Sequence, residues 1–110
     1  MTQNNYAINT DYVEDWMIKE VDKKSQAVIL RILETFEQLG PLDAREQLPR
    51  SKTKFLCDGI LEIRVKQYRI AYFWHNSTCY LLHGIRKKRD DWPKKDIQLA
   101  KKRKKNIYQP

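Results

Sequence analysis

Cysteines and long apolar runs are both scarce in this sequence. Its only cysteines, Cys57 and Cys79, lie in no metal-ligand spacing. Two cysteines are too few for a disulfide framework, which favours a reducing compartment. No apolar run approaches the roughly 20 residues needed to span a bilayer, and no charged-then-apolar segment resembles a signal peptide. We therefore expect a cytoplasmic protein that does not enter a membrane.

Several signatures of catalytic sites are also missing. The sequence contains no P-loop, no dinucleotide fingerprint, no HExxH motif and no CxxC pair. No cluster of carboxylates or histidines is spaced to hold a metal ion. Neither cysteine has a neighbouring histidine in the sequence, so nothing supports a cysteine nucleophile. Any catalysis should need neither a metal nor another cofactor.

Acidic residues are scarce in the second half of the chain. The 110 residues carry a formal charge of +8. Residues 1–50 have 6 Lys and Arg against 9 Asp and Glu, a net −3, whereas residues 51–110 have 16 against 5, a net +11. A polyanion would therefore meet the C-terminal half of the chain.

Two amphipathic helices are predicted in the first forty residues. The first begins near Asp11, with Thr10 as its N-cap. In the second, apolar residues recur at helical spacing from Ile29 onward, and Gly40 with Pro41 ends it. Such a helical pair needs a sheet to cover.

Strands are predicted in the middle of the chain. Residues 41–59 form a connector without strong periodicity, and then residues 60–66 and 68–75 alternate apolar with polar side chains. A third strand covers about residues 79–85. The short breaks between the strands predict hairpin turns and an antiparallel meander. A short edge strand at residues 6–8 would precede the first helix.

The last predicted helix is basic. Pro93 suits its first turn, where a missing N–H costs nothing, and the helix covers residues 93–107. Its apolar stripe is thin, so it is either loosely docked or placed against an acidic partner. Residues 1–10 follow no clear pattern. These elements predict a single α+β domain over residues 1–110, with two N-terminal helices packed on a small antiparallel sheet and a basic C-terminal helix.

Three charged residues of the predicted sheet form a candidate phosphodiester site. Alternation places Glu62 and Arg64 on the outward face of one strand, and Arg69 lies across from them in the hairpin. Arginine binds phosphate bidentately and stabilises developing negative charge. Glu62 could accept the proton of a ribose 2′-hydroxyl. The competing interpretation is that these are ordinary charges on a half-exposed strand.

His83 is a second candidate acid or base. It stands near the end of an apolar strand and belongs to the residue type that titrates near neutrality. A lone histidine in a strand is alternatively a structural residue, so the identity of the base stays open.

Basic residues around the strands predict contacts with nucleic acid. A block of four cations, Arg86 to Arg89, follows the third strand, and Trp92 could stack on a base or pack against the helix start. A solvated loop and a merely solubilising helix are the alternatives. The predicted nucleic-acid-binding residues are Lys66, Arg86, Arg89, Trp92, Lys94, Lys95, Lys101, Lys102 and Arg103.

The motifs resemble those of one protein superfamily. The segments LEIRVKQYRIAYF, YLLHGIRKK and PKKDIQLAKKR, in this order after a helical pair, resemble the RelE/HigB toxin superfamily and within it the phage-derived killer-protein branch. The resemblance covers about residues 25–107 and is strongest over residues 60–104. It implies a RelE/ParE-like fold.

The resemblance also implies a function. It points to the toxin of a type II toxin–antitoxin pair, a ribosome-dependent and metal-independent mRNA endoribonuclease, or mRNA interferase. Arg64 and Arg69 would bind phosphate or stabilise the transition state, and Lys87 or Lys88 would supply the cation after the last strand. Some members have a basic residue at the position of Glu62, so its role as the base stays open. Some members also keep a base-stacking aromatic near the position of Trp92.

Partners follow from the same resemblance. They are messenger RNA, small-subunit ribosomal RNA and a cognate antitoxin, expected to be a helix-turn-helix DNA-binding protein. Two other functions stay open, namely a ParE-like inhibitor of DNA gyrase and a non-catalytic phage or host nucleic-acid-binding module.

Overall fold

Five strands and three helices make up the fold in the computed structural model, which describes residues 6–49, 52–87 and 91–108. In chain order the elements are β1 (Ala7–Asn9), α1 (Glu14–Glu20), α2 (Lys23–Gln47), β2 (Thr53–Cys57), β3 (Ile60–Val65), β4 (Tyr68–His75), β5 (Thr78–Arg86) and α3 (Lys94–Tyr108). The α+β class is confirmed. The predicted arrangement of two N-terminal helices followed by the sheet does not match fully, since β1 precedes the helices, near the short strand expected at residues 6–8, and β2 lies in the predicted connector.

The strands form a single sheet in the order β1-β5-β4-β3-β2. The predicted meander β3-β4-β5 is antiparallel, as expected, and β2 extends it antiparallel to β3. The short strand predicted at residues 6–8 is present as β1, but it pairs parallel with β5. The expectation of a purely antiparallel sheet is therefore wrong at this edge, and the predicted connector 41–59 contains a strand.

Helix α2 does not end at Gly40. Gly40 has φ +80° and interrupts the helical backbone, Pro41 follows, and helical structure resumes as far as Gln47. A proline in the first turn of the resumed segment removes an N–H that has no helical partner there. A Cβ on Gly40 would lie 2.4 Å from the ring of Tyr6, so glycine also permits the N-terminal segment to approach the kink. The predicted stop is a kink.

Helix α1 begins later than predicted. Its N-cap is Val13, without a side-chain hydrogen bond, and the carbonyl of Thr10 accepts the N–H groups of Val13 and Glu14. In α2, by contrast, the carboxylate of Asp22 accepts the backbone N–H of Ser25 at 2.8 Å. The side-chain cap therefore belongs to the second helix.

The sheet is covered on both faces. Helices α1 and α2 pack on one face and enclose the larger core, whereas α3 packs on the other face against β4 and β5 and encloses a smaller one. Buried residues of the larger core include Val13, Met17, Ile29, Ile32, Leu33, Phe36, Ile63, Val65, Ile70, Tyr72 and Leu81. Those of the smaller core are Ile60, Ala71, Phe73, Leu82, Ile85, Trp92 and Ala100. Strand alternation sends one set to each face.

The basic last helix is docked. Ala100 is fully buried, and Ile97 and Ile107 pack against the smaller core. The guanidinium of Arg103 donates to the carbonyl of Leu82 at 2.8 Å and lies over the ring of Tyr12 at 4.6 Å. Among the described residues, no helix combines the length and apolarity needed to cross a membrane.

Candidate active site

Two arginines face each other across the β3–β4 hairpin. Arg64 and Arg69 are direct partners in the antiparallel register, so their side chains leave the same face of the sheet, the one covered farther along by α3. Like charges directly opposite each other in a sheet are destabilising. A bound anion would relieve that repulsion, which makes this pair the centre of the candidate site.

Arg69 is held in place by the hairpin. Its Nη1 donates to the carbonyls of Lys66 at 2.6 Å and of Tyr68 at 2.8 Å. Its Nε is buried without a hydrogen-bond partner and lies 4.0 Å from Oε2 of Glu62. Burial lowers the pKa of Arg69, the charge of Arg64 lowers it further, and Glu62 opposes both. The guanidinium is thus fixed in orientation, and its buried Nε–H has no acceptor among the described residues.

Arg64 is freer than its partner. Its side chain is half-buried, and within the described ranges its guanidinium makes no hydrogen bond or ion pair. Its backbone N–H donates to the carbonyl of Lys52 at 2.7 Å, which fixes the strand beneath it. The two arginines therefore differ, since one is anchored and the other is available to a ligand.

The structure corrects the placement of Glu62. Alternation predicted an outward, solvent-facing side chain, yet Glu62 is 4% exposed. The segment leading into α3 covers this face, and the indole Nε1 of Trp92 donates to Oε2 of Glu62 at 2.7 Å. A buried carboxylate requires such a partner. The orientation on the sheet was right, but the expected exposure was wrong.

Trp92 is occupied by this contact. The residue is 5% exposed and belongs to the smaller core. Of the two interpretations of the sequence, packing at the helix start is the one that the structure shows. In this arrangement the indole is not available to stack on a base.

His83 has a partner that the sequence did not suggest. Its Nε2 lies 2.6 Å from Oδ1 of Asp96, and the two side chains are 18% and 20% exposed. Asp96 stands in the first turn of α3, where its own N–H bonds to the carbonyl of Pro93. The sequence did predict a helix that starts at Pro93. It did not indicate that the first turn of this helix packs over β5, next to His83.

A protein-family model described as phage-derived protein Gp49-like (DUF891) matches residues 16–105. The chain belongs to this family. The match includes both arginines, Glu62, His83 and Asp96. No curated protein matches the chain at a significant level.

In this Gp49-like chain, further cations lie at the arginine end of the sheet. Lys66 is exposed in the β3–β4 turn, and Arg86 is exposed at the end of β5, opposite Tyr68. The backbone N–H of Lys87 donates to the carbonyl of Gln67 at 2.6 Å, which brings Lys87 beside the same turn. These predicted cations thus share one end of the sheet, but Arg86, opposite Tyr68 of the larger core, leaves the face opposite to that of Arg64 and Arg69. Lys88 and Arg89 lie outside the described residues.

The predicted cations of α3 divide into two groups. Lys94, Lys95 and Lys102 are exposed. Nζ of Lys101 lies 3.1 Å from Oδ2 of Asp58, and the hydrogen bond that it donates to this carboxylate raises the pKa of Lys101. Arg103 makes the docking contacts described above. The second group therefore attaches the helix to the sheet.

Residues 6–49, 52–87 and 91–108 contain no group of three or more His, Cys, Asp or Glu side chains able to hold a metal ion. Cys57 is half-buried, Cys79 is buried, and both are free thiols.

Proposed function

We propose that this Gp49-like protein is the toxin of a type II toxin–antitoxin pair and cleaves messenger RNA on the ribosome. The family match supports the toxin assignment, and the sequence motifs support a RelE/ParE-like fold. The observation that carries the nuclease proposal is the cross-strand pair of Arg64 and Arg69, one free and one anchored. Two guanidinium groups on a rigid hairpin suit a phosphodiester, because each remains charged throughout a reaction.

The proposed reaction is an attack by the ribose 2′-hydroxyl on the adjacent phosphate. Arg69 would fix the phosphate, and Arg64 would stabilise the additional charge of the transition state. Lys66, Arg86 and Lys87 would hold the RNA backbone at the same end of the sheet, and the exposed lysines of α3 would contact ribosomal RNA. Lys88 and Arg89 keep the roles predicted from the sequence.

A translation extract tests this function. Purified protein should cut a translated message, leave a 2′,3′-cyclic phosphate, and spare the same RNA when ribosomes are absent. Arg64→Ala should remove the cleavage, while Arg31→Ala, an exposed arginine on α2, should not. Intact message combined with arrested growth would contradict the proposal, and inhibited supercoiling would favour the gyrase alternative.

A cognate antitoxin is part of the same proposal. A net charge of +11 on residues 51–110 suits an acidic partner segment laid over the arginine end of the sheet. Co-expression of a neighbouring gene for a helix-turn-helix protein should restore growth. Failure of every neighbouring open reading frame to do so would remove the antitoxin from the proposal.

A further inference from the structure

We propose that His83 is the proton acceptor of this site and that Asp96 is the residue that positions it. The inference rests on the proposed ribonuclease function and goes beyond it, because it chooses between two candidate bases and adds a residue from α3. Its starting point is the 2.6 Å contact between Nε2 of His83 and Oδ1 of Asp96.

The contact fixes which ring nitrogen of His83 is basic. An ionised carboxylate only accepts hydrogen bonds, so a neutral imidazole beside Asp96 keeps its proton on Nε2. The lone pair then lies on Nδ1. Within the described ranges Nδ1 makes no hydrogen bond, and it is not among the buried side-chain atoms that lack a partner. The side chain of His83 keeps 18% of its surface exposed, and in the proposal Nδ1 is the atom that accepts the proton.

The register places His83 beside the arginine pair. Arg69 pairs with Ile85, and His83 pairs with Ala71, two positions along on the same face. Diagonal neighbours of this kind have Cβ atoms about 7–8 Å apart or less, which lies within the span of a phosphodiester and its ribose. Glu62 pairs with Ala71 from the other side, but its carboxylate already accepts the indole N–H of Trp92.

The reaction balances without a metal or an oxidant. The ribose 2′-oxygen forms a bond to phosphorus as its proton passes to Nδ1 of His83. The bond from phosphorus to the 5′-oxygen of the next nucleotide breaks, and this oxygen takes a proton from water. The carboxylate of Asp96 stabilises the imidazolium until solvent removes the proton.

Three charged groups from separate elements surround this histidine. Asp96 reaches it from α3, Glu62 lies in the same row on β3, and Arg69 lies diagonally on β4. Removing the charge of Asp96 removes the group that contacts the imidazolium. Asp96→Asn should therefore slow proton transfer to His83.

The decisive measurement is the rate of ribosome-dependent cleavage by variants of His83 and Asp96. His83→Gln should lower kcat by about 100-fold or more. Asp96→Asn should lower kcat by about 10–100-fold with KM unchanged, and Asp96→Glu should recover part of the loss. Asp91→Asn is the matched control, since Asp91 is an exposed aspartate just before the same helix. An Asp96→Asn enzyme with unchanged kcat would overturn the inference.

A second measurement needs neither activity nor a mutant. Long-range ¹H–¹⁵N spectra of the wild-type protein should show that the neutral imidazole of His83 is protonated at Nε2 and unprotonated at Nδ1. The opposite tautomer would overturn the inference even if Asp96→Asn failed to fold. A wild-type protein that cuts no RNA would instead overturn the proposed function, so the two failures are distinguishable.

Discussion

The two faces of the sheet differ in what their helices bury. Under α1 and α2 the strands present mainly apolar side chains, such as Ile63, Ile70 and Leu81. Under α3 the same strands present a smaller apolar patch followed by Glu62 and His83, each held by a residue in or just before α3. The first face mainly stabilises the fold. The second also contains polar groups that can take part in a reaction. Because side chains alternate between the two faces along each strand, the same strands supply both sets of residues.

The largest expected effect on stability lies on the apolar face. Phe36 is 1% exposed, and its ring centroid lies 5.1 Å from that of Tyr72 and 5.7 Å from that of Trp74. Phe36→Ala should lower the free energy of unfolding by about 3–5 kcal/mol through lost burial and a cavity. Urea denaturation measures it. Leu30→Ala, at a half-exposed site on the same helix, should change it by less than about 0.5 kcal/mol.

The next effect should separate activity from stability on the polar face. Arg64→Ala should lower RNA cleavage by about 100- to 1,000-fold, the usual effect of removing one charge-stabilising donor. Its free energy of unfolding should change by less than about 0.5 kcal/mol, because a like charge opposite Arg69 is removed. Rates in the translation extract and urea midpoints of the same preparation check both. A large loss of stability would show that Arg64 has a structural partner.

A smaller effect is expected where α3 meets Glu62. Trp92→Phe keeps most of the ring but removes the N–H that the buried carboxylate accepts. The free energy of unfolding should fall by about 1–3 kcal/mol, the cost of an unsatisfied buried group. Adding Glu62→Gln should recover part of the loss, because a neutral amide is easier to bury. If urea denaturation shows that the two substitutions change the free energy of unfolding additively, Trp92 and Glu62 are not coupled.

The smallest expected loss of stability follows from replacing Asp22, the N-cap of α2, at the edge of the apolar face. The backbone N–H of Ser25 is the main cause of the lowered pKa of Asp22. Because the folded pKa lies below 3.8, the carboxylate stabilises the fold above that pH and loses this effect as the pH falls through the folded pKa. Asp22→Ala should thus lower the melting temperature at pH 7 more than at pH 3. Asp22→Asn keeps an acceptor, so its remaining deficit at pH 7 measures the charge alone.

Local patterns predicted the hairpins well. Strands β3 and β4 alternate regularly, and two-residue turns at Lys66 and at Asn76 set the two hairpins. The pairing of β4 with β5 has an irregular register between Ala71 and Tyr72, which the sequence pattern did not predict. Strand β2 was missed because it lies in a segment of weak periodicity and has an irregular register between Phe55 and Cys57. The continuation of α2 was missed because glycine followed by proline usually ends a helix.

Only the part of the candidate site that lies within the strands could be predicted from the sequence. The facing of Arg64 and Arg69 follows from hairpin register, which is local. The burial of Glu62 and the partnership of His83 with Asp96 depend on where α3 docks, and a thin apolar stripe does not specify that position. Alternation shows which residues share a face, but it does not show what will cover that face.

The pairing of β1 with β5 has a consequence for the order of folding. It joins Ala7 to Thr78, so the N-terminal strand has no partner until β5 has been synthesised, about seventy residues later. Asp96 and Trp92 emerge from the ribosome later still. A nascent chain therefore carries its arginine hairpin before it can complete either the sheet edge or the surroundings of His83. Contacts this distant in sequence slow folding, and the surroundings of His83 stay incomplete until the first turn of α3 has been synthesised.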